Sequence, residues 1–306
     1  MKVVEINKLT KYYGKFRALN KVDLNIKKGE CIGFLGPNGA GKTTTIRILL
    51  GLLRKSSGDA KLFGKDVWND SVDIHKKLAY VPGDVHLWPN LTGGEVIDLF
   101  GKLRGGINKD KRENLLKLFD LDPTKKCSTY SKGNRQKVGL ISAFSSDVDF
   151  YILDEPTSGL DPLMTAVFQD CVEKLKRQGK TVLMSSHILA DVEKLCDKVT
   201  IIRQGEIVES GTLDQLRHMT KMTISVDTKD TVEGLDKIKS ISNININGNT
   251  TSFRIDKSMV GEAIEYLVKF NIKSVISTPP TLEELFMRHY GEEMKSVNNS
   301  LRREPK

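Results

Sequence analysis

The sequence predicts an α/β protein with a mainly parallel core sheet, and three observations carry that reading. Four short apolar runs, Cys31–Leu35, Phe150–Leu153, Thr181–Met184 and Val199–Ile202, are bounded by turn residues in the manner of buried strands. The first runs into a glycine-rich turn and a helix-like segment, Lys42–Leu53. Helical stretches separate the later runs, the alternation that builds a parallel sheet.

Ahead of this core, Val22-Asp23-Leu24-Asn25-Ile26 alternates with period 2, as an antiparallel strand with one wet face does, and Lys27-Lys28-Gly29-Glu30 supplies a turn. Between about Asp84 and Ser146 no strand is evident. That segment reads as a helical insert with Leu115, Leu118 and Phe119 on one apolar face. Ile201–Glu209 forms a final hairpin around Gln204-Gly205, and Leu213–Met219 a short connecting helix.

A compact series follows: strand Thr223–Asp227, a helix near Val232–Ile238, strand Ile244–Asn247, an Asn247-Gly248 turn and strand Ser252–Asp256. Val260, Ala263, Ile264, Leu267 and Val268 then recur at helical spacing before strand Ile272–Ile276. The order βαββαβ is that of a ferredoxin-like fold, and Asn-Gly is a strong hairpin signal. Pro279-Pro280 breaks the chain and Thr281–Tyr290 reads as a capped helix. The expected division is a larger domain over residues 1–215, a small α+β domain over 221–290 and a flexible tail over 291–306.

Composition excludes several classes. Of 306 residues, 39% are hydrophobic and 28% charged, which suits a soluble globular chain. No apolar stretch approaches the roughly 18 residues of a membrane-crossing helix, and Ile46–Leu53 is interrupted by Arg47. The first ten residues lack the apolar core of a secretion signal, so a cytoplasmic chain is expected. Cysteines 31, 127, 171 and 196 are widely spaced, which offers neither a disulfide framework nor a zinc site. The net charge of +9 is spread along the chain rather than striped on one helix, so nucleic-acid binding is not expected.

Residues 36–43, GPNGAGKT, match G-x-x-x-x-G-K-[ST]. Gly36, Gly39 and Gly41, with Pro37, Asn38 and Ala40 between them, let the backbone turn tightly so that successive N–H groups point at phosphate oxygens. A helix starting at the loop aims its unpaired N–H groups, including that of Thr44, and its positive dipole end at the same anion. Lys42 brings a full charge to the outer phosphates, and the Thr43 hydroxyl can ligand Mg²⁺. A bare glycine turn would not need a strand before it and a helix after it; this motif has both. The apolar run Phe150–Leu153 then ends in Asp154-Glu155, at the edge where open α/β sheets bind ligands. Asp154 is suited to the magnesium shell and Glu155 to polarising an attacking water.

With these pieces in place, the chain resembles the nucleotide-binding domain of ABC transporters over residues 1–215. In the family's order come Tyr13 in KYYG, the phosphate loop, and YSKGN at Tyr130–Asn134 in the place of the signature. LDEPTSGLD follows, joining Asp154 and Glu155 to Asp161, and then His187 in the SSH turn. The resemblance implies that Tyr13 stacks on adenine and that His187 braces the γ-phosphate. It also implies two such domains sandwiching two ATP molecules, each held by the phosphate loop of one copy and by Ser131 and Gly133 of the other, with Asp161 linking the sites. The implied cofactors are ATP and Mg. The implied partners are a membrane-spanning permease and a second ATP-binding subunit, identical or related, on the inner face of the cell membrane.

Two positions depart from the family pattern. Gly83, in Tyr80-Val81-Pro82-Gly83-Asp84, stands where a glutamine contacting magnesium is usual; Asp84 is the neighbouring oxygen donor. Tyr130, Lys132 and Asn134 replace Leu, Gly and Gln of the common LSGGQ. Both departures, and the ending TLEELFMRHYG, resemble a subgroup that exports drugs, antimicrobial peptides or lipids through separate permeases. An importer motor, or a soluble ABC ATPase acting on ribosomes or nucleic acid, is the alternative. A single phosphate loop and the absence of sustained heptads count against the soluble class.

Overall fold

The chain opens on a hairpin of two long strands, β1 (Lys2–Tyr13) and β2 (Phe16–Lys27). From Val22 to Lys27, β2 alternates buried and exposed residues, as its period-2 pattern dictates. The computed structural model describes residues 1–186, 188–218, 221–235, 238 and 240–278. Next, β3 (Cys31–Leu35), buried at every residue, feeds α1 (Lys42–Leu49). This helix stops short of the expected Leu53, because Gly51 takes a left-handed conformation (φ 65°). Leu52 N–H then donates to Arg47 O and Gly51 N–H to Ile48 O, both at 2.9 Å, closing the helix end on its own carbonyls.

Strands β4 (Ser57–Leu62) and β5 (Lys65–Asp66) extend the first hairpin into an antiparallel sheet of order β2-β1-β4-β5. After α2 (Ser71–His75) comes β6 (Leu78–Val81). The insert is helical: α3 (Gly93–Leu103), α4 (Lys109–Leu118) and α5 (Lys132–Phe144). A capping box between Thr92 and Glu95 starts α3. The chain then returns through β7 (Phe150–Asp154), α6 (Pro162–Arg177), β8 (Thr181–Ser185), α7 (Leu189–Leu195), β9 (Lys198–Arg203) and β10 (Glu206–Thr212).

The core sheet has the order β10-β9-β3-β8-β7-β6, and its five strands from β9 to β6 run parallel. An apolar cluster including Ile6, Ile26, Phe34, Ile46 and Phe150, all fully buried, joins the antiparallel sheet and α1 to it. Each such side chain contributes about 1.5–3 kcal/mol by leaving water. Phe63 meets Phe150 edge-on, with centroids 6.4 Å apart. The cluster fixes β3 and β7, and the site is built at their carboxyl ends.

The chain forms two compact units, Met1–Ser210 and the portion from Gly211. The second holds α8 (Leu213–His218), β11 (Met222–Thr228), β12 (Ser242–Asn247), β13 (Thr250–Ile255), α9 (Val260–Val268) and β14 (Ile272–Thr278). Its sheet order is β12-β13-β11-β14, with every neighbouring pair antiparallel. That is the split βαβ arrangement of a ferredoxin-like fold, cored by Ile224, Val226, Phe253, Ile255 and Leu267. The helix expected near Val232–Ile238 lies partly outside the described residues, and Thr231–Gly234 are irregular. Met219 and the segments 281–290 and 291–306 lie outside them too. Among the described residues, no helix is long and apolar enough to cross a membrane.

Candidate active site

The loop from Gly36 to Gly41 connects β3 directly to α1. Gly41 is the N-cap of α1 at φ 113°, a conformation open to glycine alone, and a Cβ there would lie 2.7 Å from Leu19 Cδ2. No side chain caps the helix and its first turn carries no acid, so its free N–H donors and positive dipole end stand open at the loop. Pro37, Asn38 and Gly39 are exposed, whereas Ala40 and Lys42 are buried. The Lys42 ammonium folds back to donate to the carbonyls of Gly36 and Pro37. Burial pulls its pKa down, and the Glu155 and Asp154 carboxylates pull it back up.

Asp154 ends β7, one strand away from β3 through β8. The Thr43 hydroxyl lies 3.5 Å from Asp154 Oδ2, while Ser185 at the end of β8 donates its hydroxyl to Asp154 Oδ1. Only 5% of Asp154 is exposed. Burial pushes its pKa up, the Ser185 bond draws it down, and the like charge of Glu155 pushes it up again. Glu155 itself sits at φ 48°, left-handed for a residue with a Cβ, a conformation costing roughly 1–2 kcal/mol. Its N–H is held by both the carbonyl (3.0 Å) and the hydroxyl (3.2 Å) of Ser185. Strain held at one carboxylate beside a buried one is the pattern of a functional position.

A second cluster forms where α5 and α6 begin. Ser131 caps α5 by accepting from Asn134 N–H at 3.2 Å, and Asp161 caps α6 by accepting from Met164 N–H at 2.8 Å. Gly133 lies so close to the loop before α6 that a Cβ would come within 2.6 Å of Gly159 O. Lys132 donates to Ser158 Oγ, and the buried Gln136 amide donates to Pro156 O, each at 3.0 Å. Tyr13, at the end of β1, is 47% exposed, with Lys11 Nζ 5.2 Å from its ring centre. His187 lies outside the described residues.

Sequence reasoning passed over Ser185 and Tyr80. Tyr80 pairs with Ile152 between β6 and β7, and burial together with Asp154 pushes its phenol up to about 12. At Gly83, a Cβ would lie 3.3 Å from both Asp154 O and Glu155 Cβ, tight against the carboxylate pair. Asp84 points instead to the surface, 3.6 Å from His86 Nε2.

Comparison with known proteins accords with this geometry. The profile of the family described as ABC transporter matches residues 19–158. The bacitracin transport ATP-binding protein BcrA of Enterococcus faecalis is 33% identical over 74% of this chain and 75% of its own length. The chain belongs to the ABC transporter family. This ABC ATP-binding subunit is also 29% identical, over 96% of its length and 100% of the other, to the linearmycin resistance ATP-binding protein LnrL of Bacillus subtilis. Its fold matches the dimeric ATP-binding cassette MJ0796, solved in a post-hydrolysis state with ADP and Pi. That match has a TM-score of 0.63 and 25% identity, and it covers 69% of this chain and 98% of the other.

The metal that the family implies has a fitting donor set in the ABC subunit. Thr43 and Asp154 are hard oxygen donors, and among the described residues no three His, Cys, Asp or Glu side chains gather into a cage. Mg²⁺ takes one or two carboxylates and completes its shell with water and substrate phosphates, whereas zinc would need a fuller protein ligand set. The buried carboxylate also makes a stability prediction. Its folded pKa stands above the unfolded value, so ionising Asp154 destabilises the fold at neutral pH, and the penalty vanishes as pH falls below both values. Asp154→Asn keeps an oxygen acceptor for Ser185. Without nucleotide it should melt at a higher temperature than wild type near pH 7, with the gap closing toward pH 4. An equal or lower midpoint at pH 7 would contradict the assignment.

Proposed function

We propose that this ATP-binding subunit is the motor of an exporter, hydrolysing Mg-ATP to drive a drug, peptide or lipid through a separate membrane permease. The observation that carries the reading is the meeting of Lys42 and Thr43, at the start of α1 after β3, with Asp154 and a strained Glu155 at the carboxyl end of β7, on the other side of β8. In the proposed reaction, the amides of residues 36–44 and the Lys42 ammonium bind the β- and γ-phosphates. Thr43 and Asp154 would hold Mg²⁺, whose charge would offset that of the phosphates. Glu155 accepts a proton from water as its oxygen bonds to the γ-phosphorus and the bond to ADP breaks. Tyr13 stacks on the base, and His187 braces the γ-phosphate.

Ser131, Gly133 and the amino end of α5 complete the site of a second ATP-binding subunit, a copy of this chain or a relative, with Asp161 linking the two sites. ATP then favours the closed pair only through contacts that the open pair lacks. Residues 1–215 would form the motor and 221–290 an accessory domain, with the insert near Pro82–Leu91 facing the permease at the inner membrane face. The names of BcrA and LnrL, given for bacitracin transport and linearmycin resistance, support the export reading. Phosphate release from ATP should require Mg²⁺ and stop with EDTA. Purification from source-cell membranes should bring down a multi-span protein. No affinity for ATP under dimer-permitting conditions would defeat the motor reading, and the absence of a multi-span partner would defeat the export reading.

A further inference from the structure

In the core sheet β8 lies between β3 and β7, so its carboxyl end stands between the phosphate loop and the Asp154-Glu155 pair. Its last residue, Ser185, is fully buried. The parallel register sets Ser185 level with Phe34 on one side and Asp154 on the other. A buried hydroxyl needs partners, and this one finds both at the two carboxylate residues. It donates to Asp154 Oδ1 and accepts the Glu155 N–H at 3.2 Å.

The two bonds are not equivalent. The Ser185 carbonyl already accepts the Glu155 N–H at 3.0 Å, so that donor is satisfied without the hydroxyl. Asp154 Oδ1 has no such second partner: among the described residues no other group donates to it. A hydroxyl has one proton to give. Here it goes to Oδ1, and Oδ2 is left as the oxygen 3.5 Å from the Thr43 hydroxyl. The two oxygens of one carboxylate thus have different surroundings, one held by the neighbouring strand and one beside the residue that would share the metal. The χ2 torsion of an aspartate is broad, so the side chain by itself does not fix the plane of the carboxylate.

We propose that Ser185 is a positioning residue of the ATPase, whose hydroxyl fixes the plane of the Asp154 carboxylate so that Oδ2 meets the metal in one orientation. Resting on the Mg-ATP reading above, this role adds a residue that acts through Asp154 rather than on the nucleotide. Without the hydroxyl, a buried carboxylate oxygen loses its donor. Asp154 is then free to turn toward the Thr43 hydroxyl or the Lys42 ammonium, the groups beside which it would otherwise hold the metal. The Glu155 N–H keeps its carbonyl partner, and the phosphate loop keeps its amides and Lys42. The expected lesion is confined to the metal.

The test uses the full chain, a non-hydrolysable ATP analogue and Mn²⁺, a divalent cation that also prefers oxygen ligands, read by electron paramagnetic resonance. Ser185→Ala should bind the analogue in EDTA as wild type does. The Mn²⁺ affinity of the nucleotide-bound protein should fall about 10- to 100-fold, the usual effect of removing the hydrogen-bond partner of a metal ligand. Hydrolysis should need correspondingly more Mg²⁺ to reach half its maximal rate. Ser185→Thr keeps the hydroxyl and should recover Mn²⁺ affinity. If Ser185→Ala folds poorly, Ser185→Cys keeps the volume with only a weak donor and is expected to show the same loss. Unchanged Mn²⁺ affinity in the variant that lacks the hydroxyl, or an equal loss of analogue binding in EDTA, would overturn the role of Ser185 and leave the Mg-ATP reading standing. A wild-type protein that binds the analogue but takes up no Mn²⁺ with it would overturn both.

Discussion

Glu155→Gln is expected to cut steady-state ATP hydrolysis by about 10²–10⁴-fold, the usual worth of a positioned general base. ATP binding should persist, and an ATP-bound dimer should accumulate. The substitution isolates chemistry from shape. Glutamine has the same length, and the bonds that hold position 155 left-handed come from its main-chain N–H to Ser185 O and Oγ, which the variant retains. What disappears is the ability to take a proton and one negative charge. Losing that charge works in opposite directions on the two neighbours: Asp154 is relieved of a like charge and ionises more readily, while Lys42 loses a carboxylate that supported its protonated form. Phosphate release and light scattering in Mg-ATP read the two halves of the result. Turnover equal to wild type would remove Glu155 from the role of base.

Lys42→Ala should weaken ATP affinity by roughly 10- to 100-fold, as expected when charge-assisted hydrogen bonds worth about 1.5–3 kcal/mol are lost. Two effects add. The ammonium charge that meets the outer phosphates goes, and the Gly36 and Pro37 carbonyls lose their donor inside the loop. Because Lys42 is 6% exposed, water cannot readily take its place. Titration calorimetry with a non-hydrolysable ATP analogue separates this loss of binding from a loss of turnover. Unchanged affinity would mean that the phosphates sit elsewhere.

The glycine-rich loop at 36–43 and the Asp154-Glu155 pair stand out in the sequence because each follows or ends a short, mostly apolar run bounded by turn residues. β3, β7, β8 and β9 carry that mark. β1 does not: KVVEINKLTKYY breaks its alternation at several register shifts against β2, so no clean period survives along it. β6 is four residues long, below the length at which periodicity speaks. Ser185 was invisible for a different reason. A serine ending a strand is ordinary, and only the parallel register Asp154↔Ser185 brings its hydroxyl to the carboxylate. In the second unit the Asn247-Gly248 turn and the helix from Val260 were plain, because turn chemistry and helical spacing are local.

The contact of Gly133 with Gly159 has a mechanical meaning. With no side chain between them to bend or repack, the starts of α5 and α6 behave like two parts riveted at one point, reinforced by Lys132 on Ser158 and Gln136 on Pro156. Pro156 is the next residue after Glu155. The path from the start of α5 to the Asp154-Glu155 pair therefore runs through only a few residues and these contacts.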